Sequence, residues 1–464
     1  MGTLITKNND ALEILVDLYP HQERELREHW DDEARALPWG MRTGKSMVPT
    51  VSASNLWQYG RLDGLIIIAP SKVHHAWVKH EFENHCAVPF NGYSWNCKRD
   101  STEKEKRRLE KFLDSAKTLE ALNILSINKE ALLVKRVWNV IRRFVKKYRC
   151  MLIVDEAHHY GRAGCSGTKR VRALAKRCPY RRTLTGTTVG NSPGRVYSQY
   201  QILEEGALGY KTHAEFLQAH GTFIFDGRHW VQDKKTWRDI ELLRARMAEW
   251  GRPVLRSDCE DLPPVITTPY YIDLDGGLWG CYQQAMIESK LTDPPNFFPA
   301  RRLAMVPKAS ILAELMPTFL KKGPVVVWAP FTDIVDEVAS VLRERGFLAA
   351  AHHGKLSDTN RERVLRSVER VGGILVSTPD SLKEGMDLSW ARTIVWYAPP
   401  WDSIIYDQAR ERCTAMGGHS TDEILLISND TIEEGMYGCL EKKMSVADWL
   451  GGTGLRDWMA EHDA

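Results

Sequence analysis

Short apolar runs recur along the chain, each bounded by glycine, proline or charge. In the first half they are GLIIIAP (64–70), ALNILSIN (121–128), CMLIVDE (150–156) and RRTLTGT (181–187). In the second half they are GPVVVWAP (323–330), GFLAAAHHG (346–354), GGILVST (372–378), RTIVWYAPP (392–400) and DEILLIS (422–428). Apolar runs this short, with helical patterns between them, predict parallel strands covered by helices on both faces. The break between the two series predicts two α/β lobes. Between them, residues 205–255 read as helical, and the Pro-rich CEDLPPVITTPYYIDLDGG reads as an extended crossing linker. The chain shows no internal repeat and no low-complexity tract.

Composition narrows the class. A chain of 464 residues can bury two or three cores, and 43 % hydrophobic with 27 % charged residues is ordinary for a globular protein. The longest apolar runs fall well short of the roughly 20 residues that cross a bilayer, and no signal pattern opens the chain, so a cytoplasmic protein is expected. Nine cysteines without a C-x-x-C pair argue against a disulfide framework or a structural zinc site. Net charge is only +3, but residues 135–182 carry 15 Lys and Arg against two acids, Asp155 and Glu156. That imbalance fits either a solvated face or a polyanion partner held through its phosphates.

The strongest local chemistry is MLIVDEAHHY. A buried strand that ends in two adjacent carboxylates sets them at its C-terminal edge, where open α/β sheets bind ligands. There Asp155 can hold Mg²⁺ and Glu156 can polarise a water attacking a γ-phosphate. The alternative is a helix start, with the two acids favoured by its dipole. PWGMRTGKS (38–46) ends like a phosphate loop, but the glycine that should open such a loop is Trp39 here. In it Lys45 can neutralise phosphates and Ser46 can ligate Mg²⁺, while backbone N–H groups after Gly44 can meet phosphate oxygens at a helix N-terminus. Upstream, Gln22 of LYPHQ carries an amide able to donate to and accept from an adenine edge.

In order, LYPHQ, GMRTGKS, IIIAPSKVHHAWVKHEF, LSINKEAL, LIVDEAHH, RRTLTGTTVGNSP, STPDSLKEGMDLSWARTIVWYAPPW, QARERCTAMGG and TIEEGMYGCLEKK resemble superfamily-two helicases, specifically the Swi/Snf-like DEAH-box DNA translocases. The resemblance runs from about residue 15 to 445. It implies two RecA-like lobes with an ATP cleft between them: 1–204 as the ATP-binding lobe, 205–300 as helical insertion and linker, 301–445 as the second lobe, and 446–464 as a tail. ATP and Mg²⁺ are the implied cofactors and DNA, duplex rather than single-stranded, the implied partner.

Residue by residue, Gln22 matches the adenine-reading glutamine, and Gly44, Lys45 and Ser46, with Thr43 before them, match the phosphate and magnesium positions. Asp155, Glu156, Ala157 and His158 match the DEAH box. Thr185, Gly186 and Thr187 match the segment that couples nucleotide state to DNA grip, which His158 joins. Gly385 and Asp387 match the second-lobe loop facing the nucleotide. Gln408 and Arg412 match the last motif. Lys72, Lys79, Arg361 and the basic stretch 135–182 are candidate contacts to the DNA backbone.

Three departures stand out. Arg42 occupies a position where the family loop usually has glycine, and Gly40 one where it is usually acidic. Thr188 replaces a common proline. Ala415 stands at the second arginine of the last motif, the family's arginine finger, which is worth about 10³- to 10⁵-fold in rate. Arg412 or Arg410 would have to substitute. The expectation is a DNA-dependent ATPase that translocates on or remodels duplex DNA in replication, recombination or repair, of the compact phage or bacterial type. The alternatives are a strand-separating DNA or RNA helicase and a nucleotide-gated DNA binder with a weak or dead ATPase.

Overall fold

The computed structural model describes residues 5–7, 10–12, 14, 17–40, 42–71, 73–96, 102–114, 120–186, 193–225, 229–255, 258–259, 265–291, 296–382, 388–401, 403–414 and 419–441. The chain divides into two compact units, Met1–Cys259 and Glu260–Ala464.

The first unit opens with a small antiparallel hairpin, β1 (Ile5–Lys7) and β2 (Asp10–Leu12). Its body is an all-parallel six-stranded sheet. The strands are β3 (Ala34–Leu37), β4 (Gly64–Ala69), β5 (Phe90–Ser94), β6 (Leu122–Asn128), β7 (Cys150–Val154) and β8 (Tyr180–Leu184), in the order β3-β8-β7-β4-β6-β5. Strands β4, β6 and β7 are buried at every position, because helices cover both faces. One helical layer supplies Val137, Val140, Ile141 and Phe144 from helix Lys135–Lys147, packed with Val171 and Leu174 of helix Ser166–Ala175.

Strands β3 and β5 are absent from the predicted set. β3 reads ARAL, and its Arg35 is buried. The guanidinium is tolerated there because Glu25 of helix Pro20–His29 meets it with two hydrogen bonds, 2.9 and 3.1 Å, a pairing that no local pattern reveals.

The stretch 205–255 is not wholly helical. Between helices His213–His220 and Ile240–Trp250 lies an antiparallel hairpin of β9 (Gly221–Phe225) and β10 (Trp230–Trp237). The segment packs against the first unit: Leu208, Phe216, Leu243 and Met247 share a core with Ala36, Tyr197 and Tyr200.

The second unit is again one six-stranded parallel sheet. Its strands are β11 (Val265–Ile272), β12 (Val325–Trp328), β13 (Ala349–His352), β14 (Ile374–Ser377), β15 (Thr393–Trp396) and β16 (Thr421–Ser428), in the order β11-β16-β15-β12-β14-β13. The expected linker therefore contributes an edge strand: β11 pairs with β16 along its whole length. Pro269 sits within it, which an edge position permits because one side of the strand has no ladder to complete. Helices Gly276–Leu291 and Phe298–Met305 pack Tyr282, Met286 and Ala304 on Ile432 of the last helix, Ile432–Glu441.

Both units are RecA-like α/β lobes. Among the described residues, no single helix is long and apolar enough to cross a membrane.

Candidate active site

Four connections of the first sheet leave its C-terminal edge and carry the residues singled out by sequence. The loop 38–46 follows β3, Pro70 follows β4, Asp155 follows β7 and Thr185 follows β8. This is the edge at which open parallel sheets bind ligands.

Loop 38–46 ends on helix Met47–Gln58, whose residues from Met47 to Leu56 are all buried. The helix has no acid in its first turn, so its N-terminus remains free to favour an anion. Gly44 adopts φ +68°, and a Cβ placed there would stand 2.3 Å from Gln22 Nε2. Only glycine satisfies both conditions. Arg42 also lies at positive φ, 63°, so the place where the family loop has glycine does demand left-handed backbone in this chain.

Gln22 is fully buried and tied to the loop: Nε2 donates to the Gly44 carbonyl at 3.0 Å, and Oε1 accepts from the Tyr19 N–H at 3.0 Å. Nε2 also lies 3.5 Å from the Thr43 carbonyl, so both amide N–H groups are turned to the loop and one lone pair of Oε1 is what remains for an adenine edge. The neighbouring His21 holds the Thr43 carbonyl through Nε2 at 2.8 Å, and the buried Thr43 hydroxyl donates to the Gly40 carbonyl at 2.8 Å. Helix Pro20–His29 thereby grips the loop at two consecutive carbonyls.

Lys45 has no hydrogen-bond or ion-pair partner among the described residues, although its charge acts on both Asp155 and Glu156. Burial, and then the adjacent Glu156 carboxylate, push the Asp155 carboxyl up to about 6 against the pull of Lys45. Burial works the same way on Glu156, but Lys45 and His158 outweigh it and hold that carboxyl well below the usual range. An ammonium that acts on the carboxylates by charge alone, a glycine turn at a helix N-terminus and two crowded carboxylates fit a magnesium nucleotide, whose phosphates and cation would compensate all three.

Glu156 sits in left-handed backbone, φ 51°, an uncommon conformation for a residue with a side chain. His158 Nδ1 lies 3.1 Å from Glu156 Oε2 and 3.4 Å from Thr185 Oγ1. Of the expected coupling residues, His158 thus touches Glu156 directly, and Thr185 reaches it through His158. Gly186 follows Thr185; Thr187 lies outside the described residues.

In the second unit, Gln408 and Arg412 lie on helix Ser403–Arg412, both half-buried. Arg410 is committed elsewhere: its Nε lies 3.2 Å from the buried Glu423 carboxylate, which also accepts from Trp396 and Thr267. Of the two arginines considered as substitutes for the missing finger, Arg410 is a structural ion-pair partner. Gly385, Asp387 and Ala415 lie outside the described residues.

Of the expected DNA contacts, Lys79 is exposed, Arg361 is half-buried and Lys72 lies outside the described residues. The basic stretch is less free than its charge count suggests. Arg182 is buried and donates to the Trp30 carbonyl at 3.1 Å. Arg143 forms two 2.9 Å bonds to Glu110, Arg149 pairs with Asp63 at 3.1 Å and Lys176 with Glu205 at 2.9 Å. Acids outside the stretch neutralise part of it in space. Lys135, Arg142, Lys146, Arg162 and Lys169 remain exposed.

Two contacting residues escaped sequence reasoning. Trp77 donates its indole N–H to Asp155 Oδ2 at 3.0 Å, and the Ser46 hydroxyl donates to Glu81 Oε2 at 2.8 Å. The run HHAWVKHEF carries both, but only the fold shows what they meet.

Residues 19–320 match the SNF2-related domain, and residues 307–417 match the helicase conserved C-terminal domain. A DEAD-box ATP-dependent RNA helicase, CshB of Bacillus cereus, is 22 % identical over 293 residues, 60 % of this chain. The chain spans 58 % of that relative's length. The SWI2/SNF2 ATPase core of Sulfolobus solfataricus, solved in complex with dsDNA, is 18 % identical with a TM-score of 0.44, over 96 % of this chain and 95 % of that one. The SNF2-related match alone covers more than half of the sequence, and the chain belongs to the SNF2-related family, the Swi/Snf-like helicases of superfamily two, which are ATP-hydrolysing, helicase-type enzymes.

Proposed function

We propose that this chain is a DNA-dependent ATPase that translocates on, or remodels, double-stranded DNA in replication, recombination or repair. The observation that carries the reading is the convergence of Lys45, Asp155, Glu156, His158 and Thr185 at one sheet edge, with the proposed base bonded to His158 and His158 in turn to Thr185.

In this reading Lys45 neutralises the phosphates, Gly44 opens the helix N-terminus to them, Gln22 reports the base to the loop it holds, and Ser46 and Asp155 hold the metal. Glu156 takes the proton of the attacking water; His158 orients that carboxylate and passes its state to Thr185. Bound magnesium supplies the charge neutralisation that the transferring phosphoryl group needs. Arg412 is assigned the role of the missing arginine. Gly385, Asp387, Gly186, Thr187 and Gln408 complete the nucleotide and coupling set. Lys72, Lys79, Arg361 and the exposed lysines and arginines of 135–182 hold the DNA backbone. Contacts of that type track a duplex without reading sequence.

The test is ATP hydrolysis by the intact chain with no nucleic acid, duplex DNA, single-stranded DNA and RNA, beside Lys45→Ala. Duplex stimulation that disappears in the variant is expected. Turnover no higher than the variant's under every condition would sink the reading. The strand-separating alternative draws on one observation, the β9–β10 hairpin that stands outside both large sheets. It requires unwinding of a tailed duplex and stimulation by single strands in preference to duplex.

A further inference from the structure

Two residues of one helical turn each support a different metal-ligating position. Trp77–Phe82 is a single π-helical turn between the short helices His74–Ala76 and Glu83–His85. Trp77 and Glu81, four apart, share a face of it. From that face the Trp77 indole donates to Asp155 Oδ2 at 3.0 Å, and Glu81 Oε2 accepts the Ser46 hydroxyl proton at 2.8 Å. The turn is held rigidly. Trp77 and Phe82 are buried, and His74 just before them bonds the Ser71 and Trp95 carbonyls, each at 2.8 Å. His85 Nε2 lies 3.9 Å from the same Glu81 Oε2. A π turn within a helix recurs at functional sites.

A serine hydroxyl that ligates a cation must turn a lone pair to the metal and its proton to an acceptor. Glu81 is placed to be that acceptor, so its bond to Ser46 is compatible with ligation and does not compete with it. A carboxylate there fixes the hydroxyl rotor and raises the electron density of the oxygen. Asp155 is oriented in the same manner: Trp77 occupies one lone pair of Oδ2 and the Glu156 N–H one of Oδ1 at 3.0 Å. A lone pair on each oxygen stays available.

We infer that Trp77 and Glu81 are positioning residues for the magnesium of the nucleotide site, Glu81 acting through Ser46 and Trp77 through Asp155. The inference rests on the nucleotide-site reading above and deepens it.

The experiment uses the intact chain as wild type, Glu81→Ala, Glu81→Gln, Trp77→Phe and Lys45→Ala. ADP affinity is measured by calorimetry in EDTA; Mn²⁺ is then titrated at saturating ADP, with free Mn²⁺ read by electron paramagnetic resonance. The expected result for Glu81→Ala is ADP affinity in EDTA within about twofold of wild type and Mn²⁺ affinity lower by about 10-fold, the effect of removing an outer-shell partner. Glu81→Gln keeps an oxygen that accepts the Ser46 proton and should recover part of that loss. Trp77→Phe keeps the ring, loses the N–H and should weaken Mn²⁺ several-fold. Ordinary ADP and Mn²⁺ binding by wild type, with unchanged Mn²⁺ affinity in Glu81→Ala and Trp77→Phe, overturns this inference alone. So does an equal loss of ADP in EDTA, which would mark a purely structural role. ADP binding that is absent from wild type, or undiminished in Lys45→Ala, removes the nucleotide-site reading and this inference with it.

Discussion

The side-chain amide of Gln22 donates to the carbonyl oxygen of Gly44 at 3.0 Å, and Gly44 adopts a backbone, φ +68°, that brings its α-carbon against the same amide. The residue expected to read the base and the loop expected to hold the phosphates are one hydrogen-bonded unit.

Gly44→Ala should damage both halves of that unit. A side chain in left-handed backbone costs roughly 1–2 kcal/mol, and the new methyl would displace the Gln22 amide. Expected are a fall of a few degrees in the melting temperature and a loss of ADP affinity, measured by thermal unfolding and calorimetry. Unchanged affinity would show that Gln22 and the loop act independently.

Arg42→Gly should run the other way. Arg42 pays for positive φ without glycine's freedom, so the substitution removes about 1 kcal/mol of strain and should raise the melting temperature by roughly 2–4 °C. The same scan that follows Gly44→Ala checks it. A lower melting temperature would mean that contacts of the arginine side chain outweigh its backbone cost.

Arg410 and Arg412 should separate stability from rate. Removing Arg410 leaves the buried Glu423 carboxylate without its cation, a loss of about 3–5 kcal/mol when a buried pair is broken. Arg410→Ala should therefore melt early. Arg412→Ala should lose about 10³-fold or more in kcat at temperatures well below its own melting point, if Arg412 supplies the finger. Equal kcat losses in both variants would contradict that division.

Arg182 and Lys79 should part company in DNA binding. Lys79 is exposed, and Lys79→Ala should lower the slope of log affinity against log salt by about one contact. Arg182 is buried beneath Trp30 and Ser52, so Arg182→Leu should alter thermal stability and leave the salt slope unchanged. Fluorescence anisotropy with a labelled duplex at several salt concentrations distinguishes them.

Asp155 and Glu156 were legible because β7, long enough to be buried, ends where its charged residues must emerge, and Lys45 because it closes a run that ends like a phosphate loop. The lysine, serine and carboxylates of such a site are specified by chemistry that tolerates few substitutes. For the same reason nine of the twelve strands in the two large sheets show as apolar runs. β3, β5 and β11 do not, because their pattern is broken by Arg35, by the polar FNGYS and by Pro269.

Pairing across distance belonged to the tertiary structure. Glu25 makes a buried Arg35 acceptable, Glu423 holds Arg410 in an ion pair, and Glu110, Asp63 and Glu205 cancel charges that a linear count left free. Trp77 meets Asp155 across 78 positions of chain, and Glu81 meets Ser46 across 35. The sequence by itself determined where nine of the twelve strands end and which residues could do phosphate chemistry there, since both follow from local pattern. Which charges remain available for that chemistry was decided only by the fold, because hydrogen bonds and ion pairs depend on distances in space that separation along the chain does not encode.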